Sequence, residues 1–379
     1  MTRCVPPRSV GPYQIFSVIG RGGIGTVYLG RKHDTGQAVA VKLLGPAPAV
    51  DANAARRLAR EYEVLLRLDH PNVVHVLDAG VAEGYSFVAM ELVEGLDLRS
   101  YLSIPASSQP AATAPDPCAG ADRDAESFDV QALLCEPDTE SLEPVRSWDA
   151  GPDAIRAFAA VVGEPETETV TRSGLPPLPP AEPLRPEPAR PEPAPLEPRL
   201  AAALNHPARL RRLREALEQV CEGLAYVHAH GLVHRDLKPG NIMVDEQHRA
   251  RLMDFGLVAL VDEGGCAHLG GKVAGTYRYM SPEQARGAVV DARSDLYSLG
   301  VILYELLCGR TPFPARRPGE LWHDILTRRP ARIASINLGV DPRLAAIAER
   351  LLEKDPAARY QSAEELGEAL RQEFGGIHH

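Results

Sequence analysis

The 379-residue sequence has no run of 18 apolar residues, no C-x-x-C pair and no excess of basic residues. The first lack removes a membrane-spanning helix, since even the longest apolar stretch, around Leu299 to Leu307, contains Glu305. The opening Met1-Thr2-Arg3-Cys4-Val5-Pro6-Pro7 has no apolar core of a signal peptide. Six cysteines (Cys4, Cys118, Cys135, Cys221, Cys266, Cys308) lie far apart, as in a reduced cytosolic protein rather than a disulfide framework. With 41 Lys+Arg against 51 Asp+Glu the net charge is −10, which argues against a nucleic-acid binder and against a polybasic membrane anchor. A soluble, cytoplasmic protein is expected.

Lysine is missing altogether from Ser103 to Arg199, where 18 Asp/Glu stand against 7 Arg; this stretch sums to −11 and the rest of the chain to +1. It also holds 19 of the 34 prolines, and Pro176 to Pro198 favours polyproline II geometry over a packed core. An acidic, proline-rich insert, residues 103–206, is therefore expected to be disordered between two parts of a globular protein. Before it, residues 13–93 read as a small strand-rich lobe. Tyr13 to Leu44 alternates as half-buried strands do, Ala54 to Leu68 switches to helical period, and Val73–Ala79 and Tyr85–Leu92 are strand-like. At 100° per residue, Glu61 lies at the edge of the face formed by Leu58, Tyr62, Leu65 and Leu66. Residues 94–102 and 207–374 read as a second, mostly helical lobe. Leu213, Leu217, Val220, Leu224 and Val227 form one helical stripe ended by Gly231, and Leu296–Leu307 reads as a central buried helix stopped by Gly309 and Pro312. Pro342–Glu353 and Ser362–Glu373 are amphipathic helix candidates.

Four motifs carry chemistry. Gly20-Arg21-Gly22-Gly23-Ile24-Gly25-Thr26-Val27 is a glycine loop followed by strand-like residues, whereas a dinucleotide-binding fold needs a helix there. A hairpin whose backbone lies close over phosphates fits better than a plain surface turn. Ala38-Val39-Ala40-Val41-Lys42 ends an apolar strand on a lysine that alone could be a solvated edge charge. The half-buried Glu61, 19 residues on, needs a cationic partner, which Lys42 supplies. The third and fourth are His234-Arg235-Asp236-Leu237-Lys238-Pro239-Gly240-Asn241 and Asp254-Phe255-Gly256. Ile242–Val244 and Arg249–Met253 alternate like a hairpin between them, which brings Asn241 and Asp254 to neighbouring ends. An amide oxygen beside a carboxylate suits Mg²⁺. Asp236 is then spare to accept a proton, with Lys238 beside developing phosphoryl charge.

The order of these motifs, with Ser281-Pro282-Glu283 after them, resembles that of the protein kinases. Gly275 to Gly287 is similar to the bacterial branch of the eukaryotic-type Ser/Thr kinases, and the resemblance covers roughly 13–102 and 207–374. It implies an α+β, two-lobed kinase fold, with a β-rich N-lobe holding one main helix and a larger helical C-lobe. The implied activity is transfer of the γ-phosphoryl of Mg-ATP to protein Ser/Thr hydroxyls, in signalling and with autophosphorylation. Implied around ATP are Gly20, Arg21, Gly22, Gly23, Ile24, Gly25, Val27, Ala40 and Lys42, with Met90 as gatekeeper and Glu91 to Val93 as hinge. Asp236 is the implied catalytic base, assisted by Lys238, Lys42 and Glu61, while Asn241 and Asp254 are the implied Mg²⁺ ligands. Thr276 would contact Asp236 and Lys238, Asp295 would tie the buried helix to the catalytic loop, and Glu283 would pair with Arg359. Lys238 suggests a Ser/Thr acceptor. The implied partners are protein substrates, with the proline-rich insert as a further docking element, and neither nucleic acid nor membrane.

Two departures from the kinase pattern stand out. Leu257 to Gly275 contains no Ser, Thr or Tyr, so Asp262 and Glu263 are candidates for fixed charges that replace an activating phosphate. The insert, in turn, has 12 Ser/Thr, among them Thr167, Thr169, Thr171 and Ser173, and is a candidate for autophosphorylation, for partner recruitment or for a plain linker. Many bacterial relatives carry a transmembrane helix and a sensor after the kinase; with the sequence ending at His379, sensing is expected from the insert, a partner or another chain. The rival readings are a pseudokinase scaffold and a small-molecule kinase. The intact Lys42, Asp236 and Asn241 weigh against the first, and the Thr276–Glu283 shelf against the second.

Overall fold

The computed structural model describes residues 7–21, 25–46, 64–82, 85–103, 193–254, 276–315 and 317–374. Expectations placed on Gly22, Gly23, Ile24, Glu61, Asp262, Glu263 and most of the insert lie outside them; Arg21 and Thr276 are placed by their backbone.

Alternation in the first lobe produces an antiparallel sheet of β1 (Ser9–Val10), β2 (Tyr13–Arg21), β3 (Gly25–Lys32), β4 (Ala38–Pro46), β5 (Val76–Ala82) and β6 (Tyr85–Glu91), in the order β1-β2-β3-β4-β6-β5. Period 2 divides β4 between two faces. Val39, Val41 and Leu43 pack with Tyr13, Ile15, Phe87 and Ala89 on one of them. Ala40 and Lys42 point to the other, where Ala40, Val88 and Met90 join the core of the second lobe. The β5 strand starts three residues later than the sequence pattern gave.

Strand β7 (Gly95–Asp97) and helix α1 (Leu98–Ser103) lead into the second lobe. There α2 (Pro198–Leu204) and α3 (Pro207–Ala229) precede a hairpin of β8 (Ile242–Asp245) and β9 (Ala250–Leu252), with β7 paired to β8. The remaining helices are α4 (Pro282–Ala285), α5 (Ala292–Cys308), α6 (Pro318–Thr327), α7 (Ile333–Ile336), α8 (Pro342–Leu351) and α9 (Ala363–Phe374). The α3 stripe from Leu210 to Val227 is buried, and α5 is buried on nearly every side. Gly300 lets α5 lie against α8, because a Cβ there would stand 2.6 Å from that of Leu351. Gly309 ends α5 at φ 66°, a left-handed cap that favours glycine. No helix among the described residues is long and apolar enough to cross a membrane.

Residues 193–206, which the composition placed in the insert, are among the described residues and are structured. Pro198 starts α2 at a position where its missing N–H and fixed φ are tolerated, so a proline that reads as polyproline opens a helix. Residues 194–205 are fastened to the lobe by Leu196 N–H to Ile336 O (2.8 Å), Arg310 Nη2 to Ala194 O (2.8 Å) and a reciprocal Asn205–Asn337 amide pair (2.7 and 3.0 Å).

The lobes meet through backbone. Val74 N–H donates to Leu252 O and Leu252 N–H to Asn72 O, each at 2.9 Å, while buried Asn72 donates to Ala250 O at 2.8 Å. The strand preceding Asp254 is therefore bonded to the segment preceding β5.

Candidate active site

Strand register assembles the first half of the site. Val27 stands opposite Lys42, Lys42 opposite Val88, and Ala40 opposite Met90, so these side chains share one sheet face. Gly20 pairs with Val27 at the end of β2 and Gly25 opens β3. Lys42 is 5 % exposed, and its ammonium meets Asp254 Oδ2 at 3.0 Å. A lysine this buried needs such a partner. At the end of β6, Glu91 N–H donates to His75 O, and its Oε1 accepts from His75 N–H and Arg251 Nη1. Leu92 and Val93 follow, half-buried against the main core.

The second half is a loop held from below. Asp295, in the first turn of α5 and 1 % exposed, accepts from His234 N–H and Arg235 N–H, both at 2.8 Å, and lies 2.8 Å from His228 Nε2. His234 Nε2 meets Met253 O at 2.8 Å. Arg235 sits at φ 64°, a left-handed conformation that costs about 1–2 kcal/mol for a non-glycine residue and is held here by the two bonds to Asp295. This conformation turns the chain towards Asp236. Lys238 Nζ lies 2.6 Å from Asp236 Oδ2, and Asn241 Nδ2 donates to Asp236 O (2.8 Å) and Oδ2 (3.2 Å). With its amino group so engaged, the Asn241 amide oxygen has no partner among the described residues. Met253 N–H donates to Asn241 O at 2.9 Å, and Asp254 follows at φ 60°. Asp236, Lys238, Asn241, Asp254 and Lys42 are thus linked by a continuous chain of bonds.

Behind the loop, Glu283 and Arg359 form a buried two-pronged pair at 2.8 and 2.9 Å, joined by Ser294 Oγ at 2.6 Å. Burial alone would push the Glu283 carboxyl up, but the bonds from Arg359 and Ser294 hold it below its ordinary value. Thr276 opens the 3₁₀ turn Thr276–Tyr279, ahead of a shelf whose Gln284 completes a capping box with Ser281 and donates to Arg235 O at 2.7 Å. The sequence reading passed over Gln284 and His228. The S-x-x-Q spacing of Ser281 and Gln284 is a capping-box signature that could have disclosed the first. His228 had no comparable signal, being one histidine beside a helical stripe.

A profile of the family described as protein tyrosine and serine/threonine kinase matches residues 13–368. Among curated relatives, serine/threonine-protein kinase pkn2 of Myxococcus xanthus is 30 % identical over 95 % of this chain and 32 % of its own length. PrkC of Bacillus subtilis is 27 % identical over 97 % of this chain and 41 % of its own. The chain spans well under half the length of either relative. In fold it is similar to the PknI kinase domain of Mycobacterium tuberculosis, with a TM-score of 0.53, 22 % identity and coverage of 97 % of each chain. With the profile match over most of its length and the motifs gathered in one cleft, the chain belongs to the protein tyrosine and serine/threonine kinase family.

Proposed function

We propose that this protein transfers the γ-phosphoryl group of ATP to Ser and Thr hydroxyls of protein substrates. The observation that carries the reading is the bonded series Asp236–Lys238–Asn241 below and Asp254–Lys42 above. It gathers a proton acceptor, two cations and two oxygen donors where the lobes meet. The Asn241 amide oxygen, without a partner among the described residues, and the Asp254 carboxylate fit Mg²⁺, which takes one or two protein oxygens and completes its shell with phosphates and water. When bound, Mg²⁺ neutralises phosphate charge. Val27, Ala40 and Met90 offer an apolar surface to the adenine, and the Glu91–Val93 hinge offers backbone groups. Gly20 and Gly25 flank the loop that would cover the phosphates.

In the transfer, the acceptor oxygen forms a bond to the γ-phosphorus while the bond to the β–γ bridging oxygen breaks and its electron pair leaves with ADP. Asp236 orients the hydroxyl and takes its proton; Lys238 and Lys42 face the charge on the transferred group and on the nucleotide phosphates. The relatives named as serine/threonine kinases support the acceptor class, as does Lys238. Cytoplasmic placement belongs to the same reading, supported by the ATP requirement and the widely spaced cysteines, as does a regulatory or docking role for the proline-rich insert.

Casein and radiolabelled Mg-ATP provide the test. Wild type labels the protein on Ser/Thr, and Asp236→Asn lowers the rate by roughly 10²–10⁴-fold while nucleotide binding persists. Equal rates for the two proteins would refute the assignment of Asp236.

A further inference from the structure

The transfer chemistry leaves one charged cluster beside the shelf unused. Arg99 in α1 reaches α5, its Nη2 donating to Glu305 Oε1 at 2.5 Å and to the Tyr279 hydroxyl at 3.0 Å. Tyr279, at the end of the turn that opens the shelf, donates to Glu305 Oε2 at 2.7 Å. Both Arg99 bonds use one nitrogen, so Nη1 and Nε have no partner among the described residues. The Arg99 side chain is 55 % exposed, against 15 % for Glu305. Glu305 is thus covered, and the group turned to solvent is a guanidinium with donors to spare. Arg278, one residue before Tyr279, meets neutral oxygens among the described residues, Thr311 Oγ1 and Ala315 O, both at 3.5 Å. Asp97, whose carboxylate accepts from Arg99 N–H and Ser100 N–H, is the second acid acting on the Arg99 charge. Two arginines thus stand beside two acids at this edge, and Arg99 Nη1 and Nε stay open to solvent. A guanidinium fixed on one side and open on the other suits a further carboxylate.

The same chain carries hydroxyls in that setting. Thr167 and Thr169 lie among Glu164, Glu166 and Glu168, in the insert that follows α1, the helix that bears Arg99. We propose that Arg99 selects acceptor hydroxyls with neighbouring carboxylates, and that Thr167 and Thr169 are such acceptors. This specificity rests on the kinase reading above.

The test uses the full chain, as wild type and as Arg99→Gln. The probes are a fluorescent peptide of residues 163–173 and its counterpart in which the glutamates at 164, 166 and 168 are changed to glutamine. Anisotropy measures binding, and radiolabelled ATP measures turnover. Wild type prefers the acidic peptide by roughly fivefold in affinity and in kcat/KM, the latter through KM, and the preference shrinks with added salt. In Arg99→Gln the ratio falls to about one, while Arg99→Lys keeps part of it; thermal melts check that each variant is folded. A ratio of one in wild type, or a ratio unchanged in folded Arg99→Gln, overturns the proposal. If neither peptide is phosphorylated, the kinase reading fails, and the binding ratio still decides the role of Arg99.

Discussion

Arg359 commits all five of its N–H groups while 1 % exposed. Two bonds go to Glu283, and the others reach Glu353 O, Arg293 O and Lys354 O, at 2.7 to 3.2 Å. Removing the guanidinium leaves the buried Glu283 carboxylate without its counter-charge, though still bonded by the Ser294 hydroxyl, and takes one donor from each of three carbonyls. Arg359→Met should therefore destabilise the fold by about 3–5 kcal/mol in urea unfolding. A loss below about 1 kcal/mol would show that the pair is not structurally required. Lys354, next to it, is the opposite case. Its Nζ donates to Ile325 O and Asp324 O at the end of α6 and to the Tyr297 hydroxyl. Burial and the Arg359 charge lower its pKa to about 7, with Asp324 opposing. The unfolded chain then binds more protons than the folded one between pH 7 and 10, so stability from this group rises as pH increases across that window. Burial raises Tyr297 and Tyr304 above the ordinary tyrosine value, which reverses the trend above pH 10. Urea titrations from pH 6 to 9.5 should show the rise in wild type and a flatter profile in Lys354→Met; parallel profiles would remove Lys354 as the cause.

Elements with one strong period were legible in the sequence. The α3 stripe and the apolar run of α5 stand where the pattern put them, because a helix that buries one face or all faces must show it in its residues. The two strands joining Asn241 to Asp254 were legible through alternation. The α2 segment was not, since a short helix opened by proline has neither a long stripe nor a distinctive composition, and tertiary bonds hold it in place. Asn337, fully buried, donates to Leu307 O as well as to Asn205. Asn205→Leu should therefore release residues 194–204, seen as faster amide exchange there with exchange around His234 unchanged. Unchanged exchange at 194–204 would show that apolar packing alone holds the segment. Site residues were legible by type and spacing, whereas the bonds ordering them were not. Nothing in the sequence showed that Arg235 and Asp254 take left-handed backbone, whereas the tie of Asp295 to the loop was implied by the kinase resemblance and is made through the His234 and Arg235 N–H groups.

At the scale of the molecule, the chain divides into a near-neutral pair of lobes and an acidic insert. The pairing of Val74 and Asn72 with Leu252 fixes one lobe's sheet to the strand that carries Asp254, so the Lys42–Asp254 contact is set by backbone geometry across the cleft. The central claim is that this arrangement transfers phosphoryl groups, and the chain's own hydroxyls can report it. Purified protein incubated with Mg-ATP, beside an Asp254→Asn control, should be mapped for phosphosites by mass spectrometry. The account predicts phosphate on Ser/Thr residues of the wild type, with Thr167 and Thr169 among them, and none on the control. Equal phosphate on both proteins, or none on a wild type that binds ATP, would contradict it.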